Sequence, residues 1–235
     1  MNRGKLLYEG KAKRVYEVAR ADAYLVEFKD DATAFNGEKR GQIVGKGEYN
    51  NRISTILFRL LEAQGIATHF LETVSAREML VRRVRIVPLE VVTRNIAAGS
   101  LSKRLGIAEG TPLERTVVEF YYKNDALGDP LINRSHALAL NLATRQEMDE
   151  LERRSLQIND ILRPHLLTRA ITLVDFKLEF GVLQSGELLL ADEISPDTCR
   201  FWDSTTQEKL DKDRFRRDLG RVEEAYQEIL HRLSD

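Results

Sequence analysis

The stretch from Leu173 to Gly181 narrows the possible folds more than any other part of this chain. Its apolar and charged residues alternate one by one, with charges at Asp175, Lys177 and Glu179. Because successive side chains of a β-strand point to opposite faces, this alternation predicts a strand with one apolar face and one charged face. The fold should therefore be built around a sheet that carries three formal charges on one side.

A second strand is predicted to return beside the first. A turn at Ser185-Gly186 leads into residues 187–194, and a two-residue hairpin loop would place Glu179 directly opposite Asp192. Like charges in that position destabilise a sheet unless a proton or a cation lies between them. Magnesium is the simplest such cation, because it favours one or two carboxylates together with phosphate oxygens and water. The pattern predicts Mg2+ at this pair and leaves Asp175, roughly 13 Å along the strand, to the substrate.

A charged strand face can also be an ordinary solvated surface. Here Leu183, Leu188, Leu190 and Ile194 lie in phase with the charges. The charged face is therefore predicted to be partly buried, where an unpaired charge is costly. A functional site explains this pattern better than a solvated surface does.

Composition and charge exclude several classes of protein. With 235 residues and 43% hydrophobic content, the chain can bury a substantial core as one large domain or two small ones. The 36 Lys and Arg residues nearly balance the 37 Asp and Glu residues, for a net charge of -1, so no overall field favours nucleic acid or a membrane. No export signal or run of about 18 apolar residues is visible, and the single cysteine excludes an internal disulfide. We expect a cytoplasmic location.

The remaining segments predict a mixture of sheets and helices. Strands are expected in a meander over residues 5–29 and near residues 78–85, 89–94 and 117–122. Helices are expected over residues 48–64, from Ser100, from Thr144 to Pro164, and as one final helix from about Asp211. The sheet-rich front and helix-rich back indicate an α+β protein with two lobes, residues 1–85 and 86–235, and a ligand cleft between them.

Two further groups of residues suggest anion binding. The loop Gly10-Lys11-Ala12-Lys13 could cover phosphates while its lysines add positive charge, although lysines in a hairpin are usually only a soluble turn. Arg94 and Ser100, which follows Gly99 at a helix start, suit a phosphomonoester, although Ser100 could serve only as an N-cap. Arg200, after the carboxylate hairpin, could also bind an anion.

Cysteine and histidine give little support to other chemistry. No histidine partner is indicated for Cys199 as a nucleophile, so a buried or incidental thiol is favoured. The histidines lack the spacing of metal ligands, so zinc is not indicated and each is expected to be structural or exposed. They are His69, His136, His165 and His231.

Five segments, taken in order, resemble the phosphoribosylaminoimidazole-succinocarboxamide synthase family, the SAICAR synthetases of purine biosynthesis. They are YEGKAKRVYE from Tyr8, FKDDATAFNGEK from Phe28, PLEVVTRNIAAGSLSKRLG from Pro88, LVDFKLEFG from Leu173 and DEISPDTCRFWD from Asp192. The match runs from Leu7 to about Tyr226 in the family's order and spacing. LVDFKLEFG and ISPD are its most specific segments.

The resemblance implies a reaction and an architecture. The reaction is the ATP-driven joining of the carboxylate of carboxyaminoimidazole ribonucleotide (CAIR) to the amine of L-aspartate, which gives SAICAR, ADP and phosphate with Mg2+ as cofactor. The architecture is an antiparallel-sheet N-terminal lobe that resembles the ATP-binding lobe of kinases, a larger mixed α/β C-terminal lobe, and ATP in the cleft. A homodimer or larger homo-oligomer is also implied.

Carried over residue by residue, the resemblance assigns the site. The nucleotide loop is Lys11, Ala12, Lys13 and Val15, with Lys123 as a further contact on the ATP side. The magnesium ligands are Glu179 and Asp192, and the substrate phosphate clamp is Arg94, Ser100 and Arg200. The residues near the imidazole, its carboxylate and the incoming aspartate are Thr33, Asp175, Lys177 and Arg216. Phe35-Asn36 stands where some members have Gly-Asp, which leaves open a charged contact of that loop.

The implied mechanism is phosphorylation of the CAIR carboxylate by ATP, followed by attack of the amine on the acyl phosphate. Positioning and charge neutralisation would do most of the work. The catalytic residues would be Lys13 and Lys177, which offset negative charge, and Asp175, which orients or deprotonates the amine. Two alternatives stay open: a small-molecule kinase with a similar ATP lobe, and a catalytically silent nucleotide-binding module.

Overall fold

The computed structural model describes residues 3–34 and 37–234, and in these residues the chain forms three antiparallel sheets and six α-helices. The predicted α+β class is confirmed. In chain order the elements are β1 (Leu6–Glu9), β2 (Lys13–Glu17), β3 (Ala23–Phe28), β4 (Asp31–Ala34), β5 (Lys39–Gln42), α1 (Lys46–Ala63), β6 (Phe70–Ser75), β7 (Glu78–Arg82), β8 (Arg85–Ile96), α2 (Gly99–Leu105), β9 (Pro112–Tyr122), a 3-10 turn (Asp125–Leu127), β10 (Leu131–Ile132), α3 (Arg134–Ala139), α4 (Arg145–Leu167), β11 (Ile171–Val182), β12 (Leu188–Ala191), β13 (Cys199–Asp203), α5 (Asp213–Arg216) and α6 (Val222–Ser234).

The first large sheet comes from the front of the chain. Its strand order is β1-β2-β3-β7-β6, so the predicted meander is present as β1, β2 and β3. Helix α1 packs on it with a fully buried stripe that includes Ile53, Leu57 and Leu61, as its periodicity predicts. The chain leaves this sheet at Arg82 and enters the second sheet at Arg85.

The second large sheet is centred on β8 and β11. Its order is β10-β9-β8-β11-β12, and β13 pairs with the first half of β11. The apolar face of β11 is buried as predicted, since Phe176 and Phe180 are fully covered and α4 packs against the strand. On the other face Asp175 and Glu179 are also buried, at 3% and 4% exposure, so the charges must be paired within the protein.

The predicted register of the hairpin between β11 and β12 is wrong by one residue. Glu179 pairs with Ala191 rather than with Asp192. The loop has three residues instead of two, because the amide of Leu183 donates to the carbonyl of Glu187 at 2.9 Å and Gly186 adopts a left-handed φ of 90°. A shift of one residue moves every side chain to the opposite face of a strand. Leu190 and Leu188 therefore pair with Phe180 and Val182 on the apolar face, and the prediction that they lie in phase with the charges is wrong. Asp192 lies just beyond the end of β12.

The predicted single helix at the end of the chain is also wrong. The segment forms a short α5 and a separate α6, and Asp218, Gly220 and Arg221 between them have φ values of 54°, 68° and 50°. Left-handed residues cannot continue a right-handed helix. The turn is held by Arg214, whose guanidinium donates to the carbonyl of Gly220 at 2.7 Å.

Helix α4 begins where its capping residues predict. Thr144 and Glu147 exchange side-chain and backbone hydrogen bonds at 3.1 and 2.7 Å, which satisfies two amides at the helix start. The helix runs through Pro164 and ends at Leu167. In the described part of the chain, no helix combines the length and apolar character needed to cross a membrane.

Helix α4 supplies a direct test of the core. Leu162 is fully buried, whereas Leu167 on the same helix is 59% exposed. Leu162→Ala should lower the free energy of unfolding by about 2–5 kcal/mol, because it removes buried methyl groups and leaves a cavity. Leu167→Ala is the matched control and should cost less than about 1 kcal/mol. Urea unfolding of both variants measures these changes in the free energy of unfolding. Equal losses of stability would contradict the burial of Leu162 and the exposure of Leu167.

Candidate active site

A cavity of about 330 Å3 lies over the charged face of β11. It collects side chains from β4, β8, β11, the loop before β13, and α5. Of the residues predicted from the sequence, its lining includes Lys11, Thr33, Arg94, Asp175, Lys177, Arg200 and Arg216. Residues that are far apart in the sequence thus come together over the charged face of β11.

Lys177 is at the centre of the ion pairs beside this cavity. Its ammonium nitrogen lies 2.7 Å from Glu90, 2.9 Å from Glu179 and 3.9 Å from Asp192. Burial acts to lower the pKa of Lys177, but the carboxylates of Glu179, Asp192 and Glu90 outweigh it and raise that pKa well above its ordinary value. Lys177 therefore stays a cation, and Lys123 adds a second ammonium 2.5 Å from Glu179.

Lys13 brings a third ammonium group from β2 of the first sheet. It forms salt bridges with Asp192 and, at 3.1 Å, with Glu193, and it lies 5.5 Å from the ring centre of Phe28. Burial acts to lower the pKa of Lys13, but Asp192 and Glu193 outweigh it and raise that pKa. This contact joins the first sheet to the end of β12.

The backbone conformation of Asp192 brings its carboxylate to Lys177 despite the shifted register of the hairpin. Its φ of 58° is left-handed, a conformation that an aspartate adopts more readily than most residues. The carboxylate reaches both Lys13 and Lys177, and Lys177 in turn contacts Glu179. Glu179 and Asp192 therefore share a cation although they are not cross-strand partners.

The oxygen donors at this position suit magnesium. Glu179 on β11 and Asp192 just after β12 approach one ammonium group, so a cation position shared by two carboxylates exists. In the described residues no group of three or more His, Cys, Asp or Glu side chains could enclose a metal ion. A magnesium ion here would need further oxygens from phosphate and water, which is how magnesium commonly binds beside nucleotides.

Arg94 organises the opposite end of the cavity. It is buried, and its guanidinium lies 2.7 Å from Asp175 and 2.8 Å from Glu119. It also donates to the hydroxyl groups of Ser100 at 3.1 Å and Tyr121 at 3.2 Å. Burial acts to lower the pKa of Arg94, but the two carboxylates outweigh it, so the guanidinium is a fixed positive charge.

Arg200 lies beside Arg94 and shares its counter-ion. Its guanidinium contacts Asp175 at 2.8 Å and Asp213 at 2.9 Å, and Arg216 contacts Asp213 at 2.6 Å. Gly99 makes room for it, because an added Cβ would lie 2.4 Å from a guanidinium nitrogen of Arg200 and the φ of Gly99 is 56°. Three arginines thus line one end of the cavity, each paired with a carboxylate.

Comparison with known proteins assigns the chain to a family. The family model described as SAICAR synthetase matches residues 6–233. The chain belongs to the SAICAR synthetase family. The resemblance inferred from the five sequence segments is confirmed.

Individual SAICAR synthetases are similar to this chain over nearly their whole length. The phosphoribosylaminoimidazole-succinocarboxamide synthase of Brevibacillus brevis is 65% identical over 99% of this chain and 98% of its own length. The crystal structure of the Ehrlichia chaffeensis enzyme superposes with a TM-score of 0.96 at 48% identity and covers 98% of each chain. A SAICAR synthetase solved in complex with ADP gives a TM-score of 0.94 at 50% identity and covers 97% of each chain.

The structure also gives contacts for the other residues that the resemblance assigns to the nucleotide loop. The backbone carbonyl of Ala12 accepts from the amide of Lys29 at 2.8 Å, and Val15 packs against the main core. Lys11 forms an exposed salt bridge with Asp125 at 2.7 Å. Phe35-Asn36 lies outside the described residues.

Sequence reasoning missed several side chains of this SAICAR synthetase site. Glu90 lies opposite Glu179 on β8 and lines the cavity with Val92 and Arg94. The alternation of Glu90, Val92 and Arg94 along one strand is a signal that could have identified it. Glu119 and Tyr121 alternate in the same way on β9, but only the sheet order brings them to Arg94.

A second buried charge network was also missed, although part of it lies in the ISPD segment. Asp197 contacts Lys46 at 2.7 Å and Lys212 at 3.8 Å, and accepts from the hydroxyl of Tyr226 at 2.6 Å. Burial acts to raise the pKa of Asp197, but Lys212 and Lys46 outweigh it and lower that pKa. Since Asp197 and Lys212 line the cavity, this network connects α1 and α6 to the site.

Cys199 and His69 sit in environments that hold them neutral. Cys199 is buried, and burial raises the pKa of its thiol, which disfavours a reactive thiolate. His69 is 6% exposed and packs edge-on against Phe58 at 5.4 Å. Burial, together with the charge of Lys13, lowers the pKa of His69 to about 3.

Asp213 supplies a test of the arginine cluster. Burial acts to raise the pKa of Asp213, but Arg200 and Arg216 outweigh it and lower that pKa to about 2, from 3.8. Asp213→Asn should reduce the free energy of unfolding by about 3 kcal/mol at neutral pH, because the guanidinium groups of Arg200, Arg216 and Arg217 lose a buried counter-ion. A lowered aspartate pKa stabilises the fold above the unfolded value, and the stabilisation is lost as pH falls through the folded value. The difference between wild type and variant should therefore shrink below about pH 4.

Urea unfolding at several pH values measures this difference. The control is Asp218→Asn, since the side chain of Asp218 is 84% exposed and its loss should cost less than about 1 kcal/mol. A difference between wild type and Asp213→Asn that stays constant into acid would contradict the assignment of Asp213 as the shared counter-ion.

Proposed function

We propose that this chain joins the carboxylate of CAIR to the amine of L-aspartate and converts ATP to ADP and phosphate, as a ligase of purine biosynthesis. The observation that carries the proposal is one cavity with Arg94 and Arg200 at one end and the lysine and carboxylate cluster of Lys177 beside it. Membership of the SAICAR synthetase family supports the same reaction. A relative of 50% identity was solved with ADP, which supports nucleotide use.

ATP is proposed to lie beside the loop before β2. Lys13 and Lys123 would offer positive charge to its phosphates, with Lys11, Ala12 and Val15 along the same loop and strand. Glu179 and Asp192 would hold Mg2+, which supplies charge neutralisation at the transferring phosphoryl group. The ammonium groups of Lys13, Lys123 and Lys177 pair with these two carboxylates. This pairing supports a site at which Mg2+ would take over the carboxylates while the lysines pair with phosphate.

CAIR is proposed to occupy the cavity with its phosphate against Arg94, Ser100 and Arg200. Planar guanidinium groups bind phosphate through paired hydrogen bonds. Asp175 accepts from both Arg94 and Arg200, at 2.7 and 2.8 Å. These contacts favour an orienting role for Asp175, so that the clamp is fixed before substrate arrives.

The two chemical steps need charge control more than a strong base. A carboxylate becomes a good acyl donor once ATP phosphorylates it, and the amine then displaces phosphate. Lys177 is placed between the carboxylate cluster and the cavity, where its ammonium would offset the charge of the reacting carboxylate. Thr33 and Arg216, which both line the cavity, would contact the incoming aspartate.

Lobes, assembly and location complete the proposal. Residues 1–85 would cover the nucleotide, and residues 86–235 would hold substrate and metal, since the first sheet ends at Arg82 and the second begins at Arg85. A homodimer or larger homo-oligomer in the cytoplasm is proposed with it. A kinase reaction is not favoured, because the chain matches SAICAR synthetases over nearly its full length.

A coupled assay of ADP release tests the reaction. ATP, CAIR and L-aspartate are supplied together and then omitted one at a time. ADP and SAICAR should form in equal amounts only with all three substrates. Steady ADP formation without aspartate, with a stable phosphorylated imidazole, would support a kinase and overturn the ligase. A chain that releases no ADP under any condition would support the silent module.

Glu179→Gln tests the proposed magnesium site. The variant keeps the shape of the side chain but removes the charge, so kcat should fall by at least about 100-fold. Glu187→Gln is the matched control, because Glu187 is exposed in the hairpin loop beside the same strand, and its activity should stay within about twofold of wild type. Wild-type activity in Glu179→Gln at limiting magnesium would rule out this carboxylate as a ligand.

A further inference from the structure

Lys13 has two carboxylate partners that differ in their surroundings. Asp192, one of them, has a side chain that is 16% exposed and lies within 3.9 Å of Lys177. Glu193, the other, has a side chain that is only 3% exposed and lies 3.1 Å from Lys13. The two adjacent acids therefore hold the same ammonium from different sides, one near the cation cluster and one in the interior.

Both oxygens of Glu193 are held by neighbours. Oε1 faces the ammonium of Lys13 at 3.1 Å, and Oε2 accepts from the hydroxyl of Ser195 at 2.6 Å. Ser195 is itself fully buried, and its hydroxyl also accepts from the amide of Asp197 at 3.1 Å. Glu193 is thus fixed in one orientation by the loop between β12 and β13.

A buried carboxylate held in this way needs a permanent cation. Removing one partner of a buried ion pair is strongly destabilising, since it leaves an uncompensated charge. If Asp192 binds magnesium, as proposed above, its carboxylate no longer pairs fully with the ammonium of Lys13. Glu193 has no such second task in the proposed site, because its side chain points into the interior, to Lys13 and Ser195.

We propose that Glu193 is a positioning residue: it holds the ammonium of Lys13 at the nucleotide phosphates when Asp192 turns to magnesium. The inference rests on the proposed function, since it presumes ATP and Mg2+ at this position. Glu193 acts only through Lys13 and does not touch the reacting atoms. Its charge holds the Lys13 ammonium near the end of β12, and Ser195 fixes the direction in which Glu193 points.

Direct binding of ADP tests the proposal without requiring catalysis. Calorimetry on the full chain compares wild type with Glu193→Gln, with and without Mg2+. With Mg2+ present the variant should bind ADP about tenfold more weakly, because Lys13 loses its fixed partner while Asp192 turns to the metal. CAIR binding should stay within about twofold of wild type, since the arginine clamp is unchanged. Wild-type ADP affinity in Glu193→Gln, or an equal loss for ADP and CAIR, would overturn the proposal.

A double-mutant cycle separates action through Lys13 from a general structural effect. Lys13→Met with Glu193→Gln should bind ADP no worse than Lys13→Met alone, because Glu193 has nothing left to position. Losses that multiply in the double variant would overturn the inference. The control Glu187→Gln makes the same chemical change at an exposed position and should leave ADP affinity within about twofold.

Ser195→Ala keeps the inference testable if Glu193→Gln does not fold. It leaves both charges in place and removes the hydrogen bond to Oε2, together with the one that the Asp197 amide donates to the hydroxyl, so ADP affinity should fall about threefold. Unchanged ADP affinity in Ser195→Ala would then count against the proposal. If the wild-type chain forms SAICAR but Glu193→Gln binds ADP with wild-type affinity, only this inference is refuted. A wild-type chain that binds ADP as described but forms no SAICAR refutes the proposed function instead.

Discussion

The pairing of lysine and carboxylate groups on the charged face of β11 is the interaction on which the rest of this structure depends. Glu179 and Asp175 are almost completely buried in the central strand of the second sheet. Buried charges are tolerated only when partners lie close to them. Glu179 pairs with Lys123 from the end of β9 and with Lys177 on its own strand, and Asp175 pairs with Arg94 from β8. Lys13 comes from the first sheet and pairs with the neighbouring Asp192. The charged face therefore joins the sheets as well as forming the site.

The charges divide into two groups along the strand. Around Lys177 the lysines and carboxylates form the cluster at which magnesium and phosphate are proposed, whereas around Asp175 the arginines form the proposed anion clamp. The carboxylates that anchor the two groups, Asp175 and Glu179, are four residues apart on β11 and therefore about 13 Å from each other along the strand. This spacing allows a nucleotide and a second anionic ligand to meet over one strand.

Much of the scaffold follows from local pattern. The meander, helix α1, the capping box of α4 and the two faces of β11 were each predictable, because period-two and period-3.6 patterns are properties of consecutive residues. The family segments likewise named Arg94, Lys177 and Arg200, which the cavity brings together. The single final helix was predicted from the same kind of pattern, and that prediction was wrong. Its apolar stripe continues through Leu219, but left-handed residues and the hydrogen bond from Arg214 to Gly220 break the backbone.

The sequence by itself determined that a strand with one charged face lies at the centre of this protein, and which side chains that face carries. Tertiary structure alone decided how those charges are paired. The hairpin register depended on a three-residue loop, and the position of Asp192 depended on a left-handed turn that restores its approach to Lys177. The roles of Glu90, Glu119 and Glu193 were set by strands and loops distant in the chain. Side-chain alternation is a local property, whereas the partner of a buried charge is chosen by long-range packing.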